Sequence, residues 1–300
     1  MSYFLSLIPA LLMWEYVSVK VNLRLDRKTR KRLFRIGFLT ALAAGALEYP
    51  LDGVVAPLAF APLTGLALKA ILVGVIEEGT NFVGLLFLAD RRQISAIGPA
   101  AAIPLAAGIG IGFALFENIF YLGAAALHGT VMSTALMRAF TAIPGHALDG
   151  MAMGAFYCLA WRSPRRFDPA AALAAWVVPA VMHALYDFTA FAMALPDQAR
   201  WASYLFPFVL LTEGLLTAAL VAAALRGATW TGADMSEADA PDEIGNRAVA
   251  MAVVLLLGGN GLLYLAVRAT HPAAFAAIAA APLVLGVDLA LVGMRRRALA

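Results

Sequence analysis

Charge is scarce in this sequence. Only 14% of its 300 residues are Asp, Glu, Lys or Arg, against about 25% in an ordinary soluble domain. With 62% hydrophobic residues and a mean hydropathy of +0.82, that scarcity excludes a water-soluble globule, which would expose apolar patches large enough to aggregate. Cysteine is nearly absent. The single Cys158 excludes an intrachain disulfide and a cysteine-based metal site. Set in an apolar run, it is expected to pack. A cleavable leader is also missing: Met1 to about Lys20 has no basic start and no small-x-small site before a polar domain. That stretch is expected to stay as a membrane helix. No long internal repeat stands out. His146-Ala-Leu-Asp149 and His183-Ala-Leu-Tyr-Asp187 are alike locally, but their His-to-Asp spacings differ by one residue.

What is present is a series of about nine apolar segments, each long enough to span a bilayer at roughly 17–25 residues. Their centres fall near Ala10, Ala43, Val75, Gly112, His146, Met182, Thr212, Leu257 and Ala281. The second is interrupted by Glu48, Pro50 and Asp52, so a shorter or re-entrant element is an alternative there. The fold class is therefore all-α, a polytopic transmembrane helical bundle, with the lipid bilayer as its solvent.

The basic residues fall in every second loop: Lys20 to Arg35, then Arg91 and Arg92, then Arg162, Arg165 and Arg166, then Arg226 through Arg247, and last Arg295 to Arg297. The loops around Pro57, Gly129, Asp197 and Thr270 carry little positive charge. This alternation is a topology signal and not a nucleic-acid footprint. It predicts an odd number of spans, the N-terminus outside and the C-terminus cytoplasmic. Residues 229–246 hold Asp234, Glu237, Asp239, Asp242 and Glu243 and read as an acidic cytoplasmic linker. It separates a membrane bundle, residues 1–228, from a supporting helix pair, residues 247–300. The alanine-rich composition and compact loops suit a bacterial cytoplasmic membrane.

An ionisable side chain in a bilayer core costs several kcal/mol unless it is paired or bound. Four consecutive spans keep such residues. The third carries Glu77, Glu78 and Asn81. On a helix the two glutamates point about 100° apart, Glu77 shares a face with Asn81, and Glu78 can also reach it. Two adjacent carboxylates at low dielectric repel, so at least one is expected to be protonated or bound to a cation. The fourth span places Glu117 and Tyr121 on one face, where a structural hydrogen bond competes with a role in chemistry. The fifth carries Arg138 and His146, with Pro144 and Gly145 expected to loosen the helix beside the histidine. Asp149, one turn on, can hold the ring of His146 or face another helix. The sixth sets His183 and Asp187 side by side at i, i+4, a geometry that lets two side chains bind one metal. Pro179 lies one turn before His183.

These are the parts of a catalytic zinc site. Imidazole and carboxylate ligands suit Zn2+, and three of them leave a fourth position for a water of lowered pKa. A nearby glutamate that is not a ligand can take that water's proton and pass it to a leaving amine. One of Glu77 and Glu78 can do this while the other is a ligand or orienter.

In order and in depth, the motifs Glu77-Glu78, Phe116-Glu117 through Tyr121, His146, and His183 through Asp187 resemble the PrsW family of intramembrane metalloproteases, distantly related to the CAAX prenyl endopeptidases. The resemblance covers about residues 65–190. It implies a zinc-dependent endopeptidase acting on an integral membrane protein substrate at or within the membrane. On that reading Glu77 or Glu78 is the general base, and His146 and His183 are metal ligands. Asp187 is a third ligand or ring orienter, and Glu117 a further ligand or supporting group. The family pattern continues Glu-Glu-x-x-Lys, whereas position 81 here is Asn, which brings no positive charge. Two other classes compete. A proton- or ion-coupled transporter also keeps carboxylates and histidines at midplane, but it commonly shows an inverted repeat. An inactive membrane scaffold of the same family is favoured by Asn81.

Overall fold

The computed structural model describes residues 27–55, 62–88, 99–163, 166–195 and 199–227. The expected spans near Ala10, Leu257 and Ala281, the acidic linker and most of the basic loops lie outside the described residues. What is described is helical, apart from one short antiparallel pair. The order is α1 (Arg27–Val55), α2 (Pro62–Leu88), a 3-10 turn (Pro99–Ala101), α3 (Ala102–Leu127), α4 (Val131–Phe140), α5 (Ala142–Ala160), strands β1 (Trp161–Ser163) and β2 (Arg166–Phe167), α6 (Pro169–Met193) and α7 (Ala199–Gly227).

The expected centres Ala43, Val75, Gly112, His146, Met182 and Thr212 fall on α1, α2, α3, α5, α6 and α7. Four helical stretches are long and apolar enough to cross a membrane: Leu63–Leu88, Pro99–Leu127, Pro169–Met193 and Arg200–Leu225. Helix α1 runs through Pro50 without breaking, so the interruption read from the sequence is absorbed within one helix. The fifth segment differs from expectation. It is divided at Thr141 (φ −123°, ψ −65°) into the short α4 and the longer α5. Pro144 therefore sits in the first turn of α5. An N–H there has no partner within the helix, so proline removes no bond and loosens nothing.

Helix α5 is the axis of the bundle, and every residue of it except Pro144 and Leu148 is buried. It packs against α3, α6 and α7, while α2 lies along α6 and α1 along α3. Small residues set these distances. A Cβ on Gly150 would meet the Ala106 carbonyl oxygen at 2.5 Å, one on Gly154 would run into the Ala102 carbonyl, and one on Gly110 into the carbonyl of His146. Ala102, Ala106 and Gly110 thus form an i, i+4 seam facing Gly154, Gly150 and His146. Backbone-to-backbone packing of this kind holds helices together where lipid offers no hydrophobic drive between them. The α2–α6 contact repeats the device: a Cβ on Gly74 would lie 2.5 Å from the Ala180 carbonyl oxygen. There the Trp176 indole N–H also donates to the Val75 carbonyl at 3.1 Å.

Helix α6 starts cleanly. The Asp168 carboxylate accepts from the N–H groups of Ala170 (3.0 Å) and Ala171 (3.5 Å), with Pro169 at the first position, a combination that satisfies the exposed donors of a helix start. Pro179 inside the helix removes the bond that would close on the Ala175 carbonyl, one turn before His183. Cys158 is buried in α5 with its Sγ 3.9 Å from the Ala224 carbonyl oxygen of α7, a packing position as expected.

Candidate active site

The two glycine seams bring α2, α3, α5 and α6 together at one depth, and there the polar residues meet. His183 of α6 is the hub. Its two ring nitrogens face different carboxylates. Nε2 lies 3.4 Å from Glu77 Oε2 and 3.7 Å from Asp187 Oδ2. Nδ1 lies 3.0 Å from Glu78 Oε1 and 3.5 Å from Asp149 Oδ2. The adjacent glutamates of α2 therefore straddle one imidazole, a distinction their spacing alone left open. Asp149 faces His183 on another helix, the second of the two alternatives read for it. Asp187 lies on the Nε2 side, which makes it a neighbour of the ring's inner edge and not the group that holds Nδ1.

His146 of α5 stands beside this hub, its ring centroid 5.0 Å from that of His183 and 5.1 Å from Phe113. Its Nε2 is 3.0 Å from Glu117 Oε2 of α3. A carboxylate only accepts, so this contact makes Nε2 the protonated nitrogen of the neutral ring and leaves Nδ1 with a bare lone pair. Glu117 also accepts from Arg138 Nη2 at 2.5 Å, and the Arg138 Nε–H donates to Asn118. The guanidinium carbon sits 3.8 Å from the centroid of the Tyr121 ring. Glu117 thus bonds to Arg138 and His146, and Tyr121 serves as the face on which the arginine rests.

One donor atom each from Glu77, His146 and His183 lies within a 4.8 Å cluster, as does one each from Glu78, Asp149 and His183. Glu77 Oε2, Glu78 Oε2, His146 Nδ1 and Asp149 Oδ1 are buried without a hydrogen-bond partner. Buried acceptors in that state are costly, and a bound cation satisfies them. The 3.4 Å between His183 Nε2 and Glu77 Oε2 is long for a hydrogen bond. The residues present therefore fit a metal.

All the candidate residues read from the sequence, Glu77, Glu78, Glu117, His146, His183 and Asp187, are brought into this one cluster. Sequence reasoning gave no role to Arg138, Asn118 or the buried Glu213 of α7. The signal for Arg138 and Glu213 was present, since each is a charged residue in a largely apolar segment. Asn81, where a lysine stands in the PrsW pattern, is buried and accepts a hydrogen bond from Thr40 of α1 at 2.9 Å.

A buried set of carboxylates and imidazoles among helices of membrane length is the arrangement that a membrane-embedded, metal-dependent hydrolase requires. The model of the PrsW family of intramembrane metalloproteases matches residues 28–213, and the chain belongs to that family. It is a protease of multi-pass membrane type, with bacterial relatives. Protease PrsW of Geobacillus kaustophilus (strain HTA426) is 30% identical over 184 residues, which is 60% of this chain and 72% of that protein. Protease PrsW of Bacillus subtilis (strain 168) is 35% identical over 109 residues, 35% of this chain and 43% of that one. No solved structure matches.

Proposed function

We propose that the chain is a zinc-dependent endopeptidase of a bacterial cytoplasmic membrane that hydrolyses a peptide bond in an integral membrane protein. The supporting observation is the convergence of Glu77, His146 and His183 on one point, among buried acceptors that lack hydrogen bonds. His146 through Nδ1 and His183 through Nε2 would hold the ion together with Asp187, which lies 3.7 Å from His183 Nε2. Glu77, the carboxylate that converges with the two rings, would stand beside them unligated. The chemistry a Zn2+ ion would supply there is polarisation of the scissile carbonyl and a more acidic attacking water.

The protein's own groups carry the rest. Glu77, at the Nε2 face of His183, takes a proton from the attacking water on a carboxylate oxygen. It returns that proton to the nitrogen of the departing amine as the C–N bond breaks. Glu78 and Asp149 accept from the Nδ1 side of His183 and fix its ring, the usual service of a carboxylate behind a ligating histidine. Glu117 does the same for His146. Residues 65–190 form the catalytic core of a bundle spanning residues 1–228. Residues 229–246 are a cytoplasmic linker to the helix pair of residues 247–300.

The test is metal content by mass spectrometry on detergent-purified protein, beside a His146→Ala/His183→Ala double variant, followed by cleavage of membrane proteins co-reconstituted in liposomes. About one zinc per chain, lost together with cleavage in the variant, is expected. A second reading is favoured by His183 itself. With carboxylates at both nitrogens, a doubly protonated ring satisfies its neighbours without an ion, and Glu77 activates water unaided. Cleavage by metal-free protein, untouched by chelator, would select that reading.

A further inference from the structure

An arginine that reaches the histidine site through Glu117 arrives from an element outside the four motifs. Helix α4 has ten residues, far short of the roughly 20 that a membrane crossing requires. It turns the small Ala135 and Ala139 inward and the large Met132, Leu136, Met137 and Phe140 outward. Its one inward-reaching charge is Arg138, whose side chain is only 11% exposed. Taking such a group out of water is costly unless its donors are matched, and three features match them here. Nε–H goes to Asn118, Nη2–H goes to Glu117 Oε2 at 2.5 Å, and the planar face lies on Tyr121. The oxygen that Arg138 grips, Glu117 Oε2, is the same atom that meets His146 Nε2 at 3.0 Å.

We propose that Arg138 is a positioning residue for peptide hydrolysis: by clamping Glu117 and Asn118 it fixes the carboxylate that sets the tautomer and direction of the His146 ring. Without the clamp Glu117 is free to rotate about its side-chain torsions, and Nδ1 of His146 loses its preference for the unprotonated form. The clamp needs a fork and not just a charge, because two different acceptors on adjacent residues of α3 are engaged at once. This assignment also gives the centre a fixed positive charge where Asn81 brings none. It rests on the metalloprotease reading for what the ring is held for, but its geometry stands apart from that reading.

The experiment is 15N NMR of histidine-labelled protein in detergent, with the His146 signals identified by their disappearance in His146→Ala. Zinc affinity is measured in parallel by chelator competition. Wild-type protein stripped of metal is expected to show the His146 proton on Nε2, facing Glu117. In Arg138→Gln the His146 signals should move toward mixed tautomers while those of His183 stay, and zinc affinity should fall about 10–100-fold. Arg138→Lys should restore neither. Asn118→Ala, which frees only one arm, should give an intermediate shift, and it serves as the test if Arg138→Gln does not fold. Unmoved His146 signals in Arg138→Gln, or full rescue by lysine, overturn the proposal. A wild type that binds no zinc yet shows the Arg138-dependent signal overturns the metal reading and leaves the clamp intact.

Discussion

The two histidines of the centre are held in opposite ways. His183 is surrounded by four carboxylates from α2, α5 and α6. His146 is hydrogen-bonded to one carboxylate, itself paired to an arginine, and has an aromatic wall in Phe113. The first surrounding gathers four acids about one ring, which favours a cation among them. The second pairs its acid with an arginine and leaves one ring nitrogen open toward the centre. The difference teaches that one half of the site gathers acids around a would-be ion and the other aims a ligand at it. Variants that erase the asymmetry should separate binding from chemistry.

The largest effect is expected at Glu77. Glu77→Gln should lower the cleavage rate by about 10²–10⁴-fold, the usual worth of a general base, with zinc content retained. A variant that loses zinc instead makes Glu77 a ligand, and Asp187→Asn, assayed alongside, should then keep its metal and lose the reaction. On the same half, Glu78→Gln withdraws one of the two carboxylates behind His183 Nδ1. A fall of about 10–100-fold in zinc affinity is expected, recoverable at high zinc, in a titration of cleavage against free metal. Asn81→Lys sharpens the comparison by adding charge to the binding half. It also removes the acceptor of the Thr40 bond, so a loss of about 1–3 kcal/mol in stability is expected, read by denaturation in mild detergent. A gain in cleavage despite that loss would show the natural centre to be under-charged. The smallest effect belongs to the outward face of α4. Phe140→Ala should change stability by no more than about 0.5 kcal/mol, and a larger change in thermal unfolding would mean that this face is covered.

Much of this was legible beforehand. Charged residues in apolar runs are costly, so Glu77, Glu78, Glu117, His146, His183 and Asp187 announced themselves, and i, i+4 spacing placed Asp187 beside His183. Side-chain periodicity describes one helix at a time, however. It left open which glutamate takes which nitrogen, because that depends on the crossing of α2 over α6. Asp149 had two possible partners for the same reason. The break at Thr141 was missed because α4 and α5 together read as one span of suitable length. The outlying spans and the acidic linker remain expectations from the sequence, since they fall beyond the described residues.

The seam between α3 and α5 has a consequence for how related chains are sorted. The depth of His146 is set by its own carbonyl oxygen resting against Gly110, a residue with no chemistry to offer. A chain carrying leucine at that place would keep every acid and every imidazole and still hold them out of register. Cataloguing working relatives by their reactive letters alone would count such a chain as competent. Glycine at position 110 belongs in the signature as much as the histidine does.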